Sequence, residues 1–322
     1  FALRAQLDIA GLDTISRQLE QEQVTLDIAR YVHSACYQLL LARKLLAVSD
    51  DEVETLTAHK RNAQLFYAQG LIPPNDQLKA DVALANAVQD REKVRANLIK
   101  AMTRINRLMG WPLDTRIMIR DPGALSTGPA GFNPDALSRQ ALQERPIMKL
   151  LDVGMEKLGF SVKAAQSAWY PHVSIVGSYA HSGENAVADE NDFTNSDESY
   201  AAVQLEWKLW RSGKTRAEVA RGRRQVKSLE ARIEGYRARV LEEVRNALLD
   251  CRVAFSNIGT AEKALDQARE NWRITDVQYR QQAATSTDVL DARAYLSQAD
   301  TNYYQSVYGY LDAVAGLDRA VG

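Results

Sequence analysis

Two stretches of this 322-residue chain decide its fold: Tyr67-Ala-Gln-Gly-Leu-Ile-Pro-Pro-Asn-Asp-Gln-Leu-Lys-Ala80 and Tyr279-Arg-Gln-Gln-Ala-Ala-Thr-Ser-Thr-Asp-Val-Leu-Asp-Ala292. When Tyr67 is aligned with Tyr279, identical residues recur far from these stretches in the same register. The pairs include Arg4 with Arg216, Val32 with Val244, Ala35 with Ala247 and Gly110 with Gly322. Because the register holds without a gap, the sequence predicts two tandem copies of one supersecondary unit that stack on each other.

Each copy is predicted to be a hairpin of long helices. All eight prolines lie between Pro73 and Pro171, so the chain on either side can form very long helices. Apolar residues there recur at helical spacing: Leu26, Ala29, Val32, Cys36, Leu39 and Leu40, and later Val240, Val244, Ala247, Leu248 and Cys251. Turns are predicted at 69–74 and 281–286, with Ser286 or Thr287 capping the returning helix. A helix of roughly 65 residues spans about 100 Å and must lie along neighbouring helices in a coiled-coil-like bundle or tube.

The composition excludes several classes of protein. A net charge of −1 gives no global electrostatic attraction to nucleic acid. There is no run of about 18 apolar residues, so no transmembrane helix is predicted. Cys36 and Cys251 are too few for a disulfide framework and are either free thiols or one bridge between packed helices. The four histidines show no metal-binding spacing, and neither a phosphate loop nor a nucleophile elbow occurs, so we expect no enzyme, cofactor or metal site.

Between the copies, two segments alternate apolar and polar residues. The first runs from Trp169 to His181 and the second from Tyr200 to Trp210, and in the second Val203, Leu205, Trp207 and Leu209 share one face. Each has about the 10 residues that a tilted strand needs to cross a bilayer. The acidic connection 182–199 is typical of a solvated loop. Two interpretations of these residues stay open: a membrane β-hairpin, or a two-stranded flap on a soluble protein with one face packed on helices.

The ordered set of motifs resembles the TolC-like outer membrane efflux factors. The family pattern is a tyrosine, a turn and then Asp-Val-Leu-Asp-Ala. In the second copy it is represented by Tyr279 and Asp288–Ala292. In the first copy it is represented by Tyr67 and Asp76, and that copy ends at Leu108-Met-Gly110. The hairpin signature is similar to Ala168–Val173 and Leu205–Leu209, and the family's Ala-Leu and Arg-Pro element is similar to Leu137–Pro146. The resemblance covers essentially the whole chain.

The resemblance implies a mainly α fold, in which two tandem long helical hairpins form the protomer of an α-barrel and a membrane β-hairpin is inserted in the second repeat. The segments are the first helical repeat (1–110), a linker or equatorial segment (111–146), the first helix of the second repeat (147–168), the β-hairpin (169–211) and the second helical repeat (212–322). The family forms homotrimers in the outer membrane with a long periplasmic extension. The implied function is a passive exit duct that expels drugs, metals or proteins in a tripartite efflux or type I secretion system, with a periplasmic adaptor, an inner-membrane pump and outer membrane lipid as partners.

The sequence departs from the family pattern in ways that carry expectations. Phe1–Arg4 aligns with Gly213–Arg216, directly after a hairpin, so the first helix, the first hairpin and the processed N-terminus are expected to precede the sequence given. Three chains with one hairpin each supply six strands, fewer than the family's twelve, so we expect this stretch not to close a barrel alone. Gln282 stands where the family usually has glycine, which predicts a different turn conformation there.

The resemblance also assigns three sets of site residues. The gate of the closed channel is expected at Asp288, Asp291, Tyr279 and Asp76. The adaptor-docking turns are expected at Gly70, Leu71, Pro73, Pro74, Ala283 and Ser286. The membrane girdle is expected at Trp169, Tyr170, Trp207, Trp210, Tyr179 and Tyr200, with the tryptophans and Tyr170 at one end of the hairpin and the other two tyrosines at its opposite end.

The two gate aspartates of the second turn have a physical argument of their own. Asp288 and Asp291 are three residues apart and therefore on one helix face. In a trimer they would form two stacked rings of carboxylates that attract divalent cations. The alternative for Asp288 is a first-turn acid favoured by the helix dipole.

A soluble periplasmic coiled-coil scaffold, or the adaptor protein of the same machinery, is the alternative function. An adaptor should have a single coiled-coil hairpin flanked by many short strands, and this chain has two helical repeats instead.

Overall fold

The computed structural model describes residues 2–121, 128, 131–181 and 197–322. Most of the acidic connection predicted as a solvated loop, 182–196, lies outside the described residues, as does part of the linker segment. The described chain forms six helices: α1 (Ala2–Ala68), α2 (Pro74–Met109), α3 (Pro134–Glu144), α4 (Pro146–Ser167), α5 (Lys214–Arg280) and α6 (Ser286–Val321). The two strands are β1 (His172–His181) and β2 (Asp197–Glu206).

The predicted repeat is confirmed at the level of the helices. Both α1 and α5 contain 67 residues, and both α2 and α6 contain 36 residues. The alignment that pairs Tyr67 with Tyr279 also pairs each boundary of α1 and α2 with the corresponding boundary of α5 and α6. Prolines occupy the first position of α2, α3 and α4, where the missing N–H costs no helical hydrogen bond. The prediction of a mainly α fold built from two long helical hairpins is therefore confirmed.

The described residues divide into two compact units. The first contains α1 up to Glu20, α4, the β-hairpin and α5 up to Tyr236. Within it, Lys157 on α4 forms an ion pair with Asp13 on α1. Helices α4 and α5 approach each other closely at Gly222, where an added Cβ would lie 2.8 Å from Cγ2 of Val162. That distance is too short for two carbon atoms in contact, so an alanine at this position would force Val162 or one of the helices to shift.

The second unit contains the remainder of α1 and α5 together with α2, α3 and α6. Its core uses equivalent positions of the two copies. In the first copy Ala35 and Leu39 pack against Ile105, and in the second Leu248 and Cys251 pack against Tyr310 and Leu317. Leu39 aligns with Cys251 in the repeat, and both are 0% exposed; Ile105 aligns with Leu317, and both are buried. Each hairpin therefore closes around the same pair of positions.

Both cysteines are free thiols, so the alternative of a bridge between them is wrong. Cys251 is buried, and this burial raises the pKa of its thiol to about 11. Cys36 is partly buried, and its thiol pKa is also raised by burial.

The β-hairpin is antiparallel and regular, with partners from His172↔Glu206 to His181↔Asp197. Val173 lies opposite Leu205 and Ile175 opposite Val203, so one face is apolar as the alternation predicted. These four side chains are exposed, and the interpretation of the hairpin as a flap packed on helices is wrong for the described residues. Across the described ranges, no helix combines the length and hydropathy that crossing a bilayer demands.

The boundaries of the strands differ from the prediction. The return strand was expected at Tyr200–Trp210, but β2 runs from Asp197 to Glu206, so Trp207 and Trp210 follow the strand. In the observed register, the pair after His172↔Glu206 would be Pro171 with Trp207. Pro171 has no N–H to donate, so the ladder of hydrogen bonds does not continue to Trp207. The first strand begins at His172 rather than Trp169 for the same reason.

Candidate gate and docking site at the helical turns

The turns between paired helices have the same backbone in both copies. In the first, Gly70 N–H donates to the Tyr67 carbonyl (2.9 Å) and Leu71 N–H to the Phe66 carbonyl (2.9 Å). In the second, Gln282 N–H donates to the Tyr279 carbonyl (2.9 Å) and Ala283 N–H to that of Gln278 (2.8 Å). This is the pattern of a helix C-terminus closed by a left-handed residue.

Gln282 adopts the conformation that glycine adopts in the first turn. Its φ is 63° and that of Gly70 is 70°. The prediction of a different turn conformation at Gln282 is therefore wrong. For a residue with a Cβ this region costs about 1–2 kcal/mol, and the two backbone hydrogen bonds of the turn offset that cost.

The second turn is followed by a capping box that includes Asp288. Thr285, not Ser286 or Thr287, is the N-cap, because its extended backbone places its hydroxyl where it accepts from Asp288 N–H (3.2 Å). In return the Asp288 carboxylate accepts from Thr285 N–H (2.8 Å) and from the Thr285 hydroxyl (2.7 Å). These hydrogen bonds, the backbone one first, lower the pKa of Asp288. Asp288 and Asp291 are both exposed, so the chain presents two carboxylates at the start of α6.

Tyr279, in contrast, is buried with only 2% exposure. Its ring lies 4.8 Å from the imidazole of His59 and 5.5 Å from the ring of Phe66, measured between centroids. Burial raises the pKa of the Tyr279 hydroxyl, and the negative charge of Asp76 raises it further. Its counterpart in the first copy, Tyr67, is 44% exposed. The two copies therefore use equivalent tyrosines in different ways.

Polar contacts join the first turn to the second. Lys79 on α2 donates to the Thr287 hydroxyl (3.0 Å) and to the Asp76 carboxylate (3.2 Å). The Ser286 hydroxyl donates to the backbone carbonyl of Asp76 (3.4 Å) and lies 2.9 Å from Nε2 of His59. Helices α1, α2 and α6 are thus linked at the same level as the two turns.

The predicted docking residues differ in accessibility. Gly70, Leu71, Pro73, Pro74 and Ala283 are exposed, and they form the surface of the two turns. Ser286 is only 1% exposed, because it is enclosed by His59 and the backbone at Asp76. It therefore supports the turn from inside.

Above the turns, a buried arginine connects α6 to α1. Arg293 is 2% exposed, donates from Nη2 to the Asp51 carboxylate (2.8 Å) and lies over the ring of Trp272 at 5.9 Å. Nearby, Arg269 on α5 pairs with Asp300 at 3.4 Å. Burial raises the pKa of Asp300 although both arginines oppose this shift. The first turns of α6 are therefore held by charge pairs to both long helices.

The predicted girdle residues are exposed and lie in three settings. Trp169 and Tyr170 follow α4, and Trp207 donates from its indole N–H to the Trp169 carbonyl (3.3 Å). Trp210, 87% exposed, follows β2. At the opposite end of the hairpin, Tyr179 lies opposite Ser199, and Tyr200 lies opposite Ser178. The two tyrosines consequently point to opposite faces, with Tyr179 on the face of Val173 and Ile175.

Sequence reasoning missed His59, Lys79 and Phe66. Metal-binding spacing between histidines carries no information about how a single histidine packs. Among the residues that the structure describes, no cluster of three His, Cys, Asp or Glu side chains is able to hold a metal. A signal for His59 was present, because it lies in helical phase with the buried Leu56 and Ala63. Lys79 carried no comparable signal, since its partner Thr287 is 208 residues away.

Comparison with known proteins gives relatives of one kind. Residues 137–322 match the family described as "Outer membrane efflux protein". Nodulation protein T of Rhizobium leguminosarum bv. trifolii is 23% identical over 303 residues, which cover 92% of this chain and 62% of that protein. Outer membrane protein TolC of Salmonella enteritidis is 20% identical over 329 residues, covering 99% of this chain and 65% of that protein. The chain thus spans less than two thirds of the length of these curated relatives.

The fold is shared with solved structures. The CmeC outer membrane channel of Campylobacter jejuni has a TM-score of 0.82 and 12% sequence identity, with 100% of this chain and 68% of that chain covered. At this identity the likeness shows the fold alone. The family match, by contrast, covers more than half of the chain and includes α6, the β-hairpin and the second turn. The chain therefore belongs to the outer membrane efflux protein family.

Proposed function

We propose that this protein is the outer membrane channel of a tripartite efflux or type I secretion system, a homotrimer that acts as a passive exit duct rather than as an enzyme. The observation that carries the proposal is the β-hairpin. It presents an apolar face of Val173, Ile175, Val203 and Leu205 to its surroundings, and within the described part of the chain neither outer edge is paired. In a membrane barrel, lipid chains contact such an apolar face, and strands of neighbouring hairpins form hydrogen bonds with the backbone groups of such edges.

The organisation of the protomer follows from this role. We assign 1–110 and 212–322 as the two helical repeats, 111–146 as the linker between them, 147–168 as the helix that leads to the membrane and 169–211 as the barrel hairpin. The equal lengths of α1 and α5, and of α2 and α6, support two quasi-equivalent repeats. In the full-length protein, with the additional hairpin that the resemblance implies, trimerisation would close a ring and pair every strand edge in an outer membrane barrel, with the helices extending into the periplasm.

The two turns are the proposed docking surface for the periplasmic adaptor, which links the channel to an inner-membrane pump. The exposed residues assigned to docking, Gly70, Leu71, Pro73, Pro74 and Ala283, are small or apolar. Leu71 is 46% exposed on a turn held by backbone hydrogen bonds. Replacing Leu71 and Ala283 with arginine should abolish efflux while trimer assembly is retained, because both side chains lie on the surface of the turns. Normal drug resistance in that double variant would refute docking at this surface.

The proposed gate uses Asp288 and Asp291 as its exposed carboxylates. Tyr279 and Asp76 would contribute differently, since Tyr279 is buried and Asp76 is engaged by Lys79. They would hold α5 and α2 against α6 and so fix where the carboxylates project. The capping box gives Asp288 a structural role as well, and the two roles are compatible.

Outer membrane lipid is the proposed environment of the aromatic residues around the hairpin. Trp169, Tyr170, Trp207 and Trp210 would lie at one interface and Tyr179 at the other. Tyr200 shares its face with Gln204 and Glu206, so it would face the interior of the barrel.

The function is tested with the full-length protein and a matched pair of variants in β2. Val203 and Gln204 are adjacent residues on opposite faces of the strand. Val203→Asp places a charge on the proposed lipid face and should prevent recovery of trimers from outer membranes, whereas Gln204→Asp should be tolerated. Planar bilayers should show stepwise conductance for the wild type and for Gln204→Asp. A soluble wild-type protein, or equal behaviour of the two variants in membranes, would instead indicate the scaffold or adaptor alternative.

A further inference from the structure

The buried histidine His59 joins three helices at the level of the turns. It is 4% exposed, and its Nε2 lies 2.9 Å from the Ser286 hydroxyl on α6. The Ser286 hydroxyl donates its hydrogen to the Asp76 carbonyl on α2 (3.4 Å), so it must accept a hydrogen bond from His59 Nε2–H. The neutral imidazole therefore carries its proton on Nε2, and an additional proton would bind to Nδ1. The ring of Tyr279 on α5 covers the imidazole at 4.8 Å. A single side chain of α1 therefore contacts α5 and α6 directly and is connected to α2 through Ser286.

The surroundings favour the neutral imidazole. Burial lowers the pKa of His59, and the carboxylate of Asp276 on α5 acts in the opposite direction. Asp276 is already paired with Arg280 at 2.8 Å. An imidazolium at this position would therefore have to share a carboxylate that a guanidinium already holds.

The charged groups of the other packed elements are also paired. On α2, Asp76 is paired with Lys79, and Asp81 is paired with Lys60 of α1 at 2.7 Å. On α6, Asp288 is held in the capping box of Thr285. None of these carboxylates can turn to a charged His59 without losing its present contact.

We propose that the buried His59 site, with its contact to Ser286, is an acid-sensitive latch between the two turns. A proton added at Nδ1 leaves Nε2–H donating to Ser286 but places a charge in a 4% exposed site, and hydration of that charge separates α1 from α6 and loosens both turns. The linkage between proton binding and stability sets how the stability of the closed latch depends on pH. The imidazole has a lower pKa in the closed structure than its ordinary value of about 6.5, so the latch is fully stabilising above about pH 6.5 and loses stability as the pH falls below it. One proton is taken up for each latch that opens.

The consequence for the channel rests on the proposed function. Ser286 is the first residue of α6, and Asp288 and Asp291 lie within the next two turns of the same helix. Loosening Ser286 would therefore displace the proposed gate carboxylates and the docking turns together. The latch itself is a property of the helical hairpins and does not require conduction.

The test is amide hydrogen exchange of the full-length protein in detergent at pH 7.5 and pH 5.0, with rates corrected for intrinsic exchange. Peptides covering 60–80 and 281–292 should show an opening constant that rises by up to about tenfold for each pH unit below about 6.5. His59→Gln keeps a polar side chain that cannot titrate, and it should remove this rise. The matched control is His33→Gln, an exposed histidine on the same helix, which should retain it.

Two outcomes would overturn the latch: no acid-induced increase in the wild type, or an undiminished increase in His59→Gln. Should His59→Gln fold poorly, Ser286→Ala provides a second test, because it should raise exchange in both turns already at pH 7.5. Unchanged exchange in Ser286→Ala would also contradict the proposal. Because exchange needs no channel activity, absence of conductance with an intact acid response would refute the duct and leave the latch standing.

Discussion

The close approach of α4 and α5 at Gly222 allows a quantitative test of packing in the unit that carries the β-hairpin. Gly222→Ala would place a methyl group 2.8 Å from Cγ2 of Val162, and valine cannot rotate away freely because its χ1 is restricted in a helix. Gly235, on the same helix, has nothing within 4 Å of the position of an added Cβ. The two glycines therefore differ in contact but share a helical backbone.

The expected magnitudes follow from two opposed terms. Replacing glycine with alanine inside a helix stabilises it by about 1 kcal/mol, so Gly235→Ala should gain that amount. At Gly222 the overpacking costs about 1–3 kcal/mol, so Gly222→Ala should lose between about 0 and 2 kcal/mol in total. The difference between the two variants is expected to be about 1–3 kcal/mol, or about fivefold to 150-fold in an opening equilibrium.

Native-state hydrogen exchange of peptides within α4 and the start of α5 measures this difference in the intact protein. The rescue variant is Val162→Ala, because it removes the methyl group that the new Cβ meets. In the Val162→Ala background, Gly222→Ala should stabilise the helix by about the same amount as Gly235→Ala does in the wild type. The variants Gly222→Ala and Val162→Ala, alone and combined, thus form a double-mutant cycle. Equal protection in the two single variants, or no rescue by Val162→Ala, would refute the close packing of these helices.

Three further predictions concern the second unit and the proposed gate. Asp288→Asn with Asp291→Asn should weaken block by divalent cations added on the side of the turns, and unchanged block in single-channel recordings would remove both residues from the gate. Cys251, with its pKa raised to about 11, should react with thiol reagents at pH 8.5 only after denaturation, since its folded thiolate fraction is below about 1%. Rapid labelling at Cys251 in the folded protein, located by peptide mass analysis to distinguish it from Cys36, would contradict its burial. Arg293→Ala should lower the free energy of unfolding by about 2–3 kcal/mol. Arg17→Ala, in an exposed pair with Glu20, should change it by less than about 0.5 kcal/mol. Equal losses in denaturant titrations would show that the buried arginine contributes no more to stability than the exposed one.

The sequence alone determined the repeat, the two long helical hairpins and the β-hairpin between them. These features depend on local rules that the residues display directly. Prolines are confined to a central region, apolar residues follow a helical period, and alternation marks the strands. Because both copies obey the same local rules, the boundaries of α1 and α2 reappear at the aligned positions of α5 and α6.

Only the tertiary structure decided how equivalent residues are used. Gln282 adopts a left-handed conformation although it is not glycine, because its turn forms the same two backbone hydrogen bonds as the turn at Gly70. Strand β2 ends at Glu206 because Pro171, which would pair with the next residue, has no N–H to extend the ladder. Tyr279 is buried while Tyr67 is exposed, although both stand at the same point of the repeat. Burial is set by the neighbouring helix, and Tyr279 of the second copy meets His59 of the first, which is distant in the sequence. Local periodicity cannot encode such a contact, since it depends on which helices become neighbours after the chain has folded.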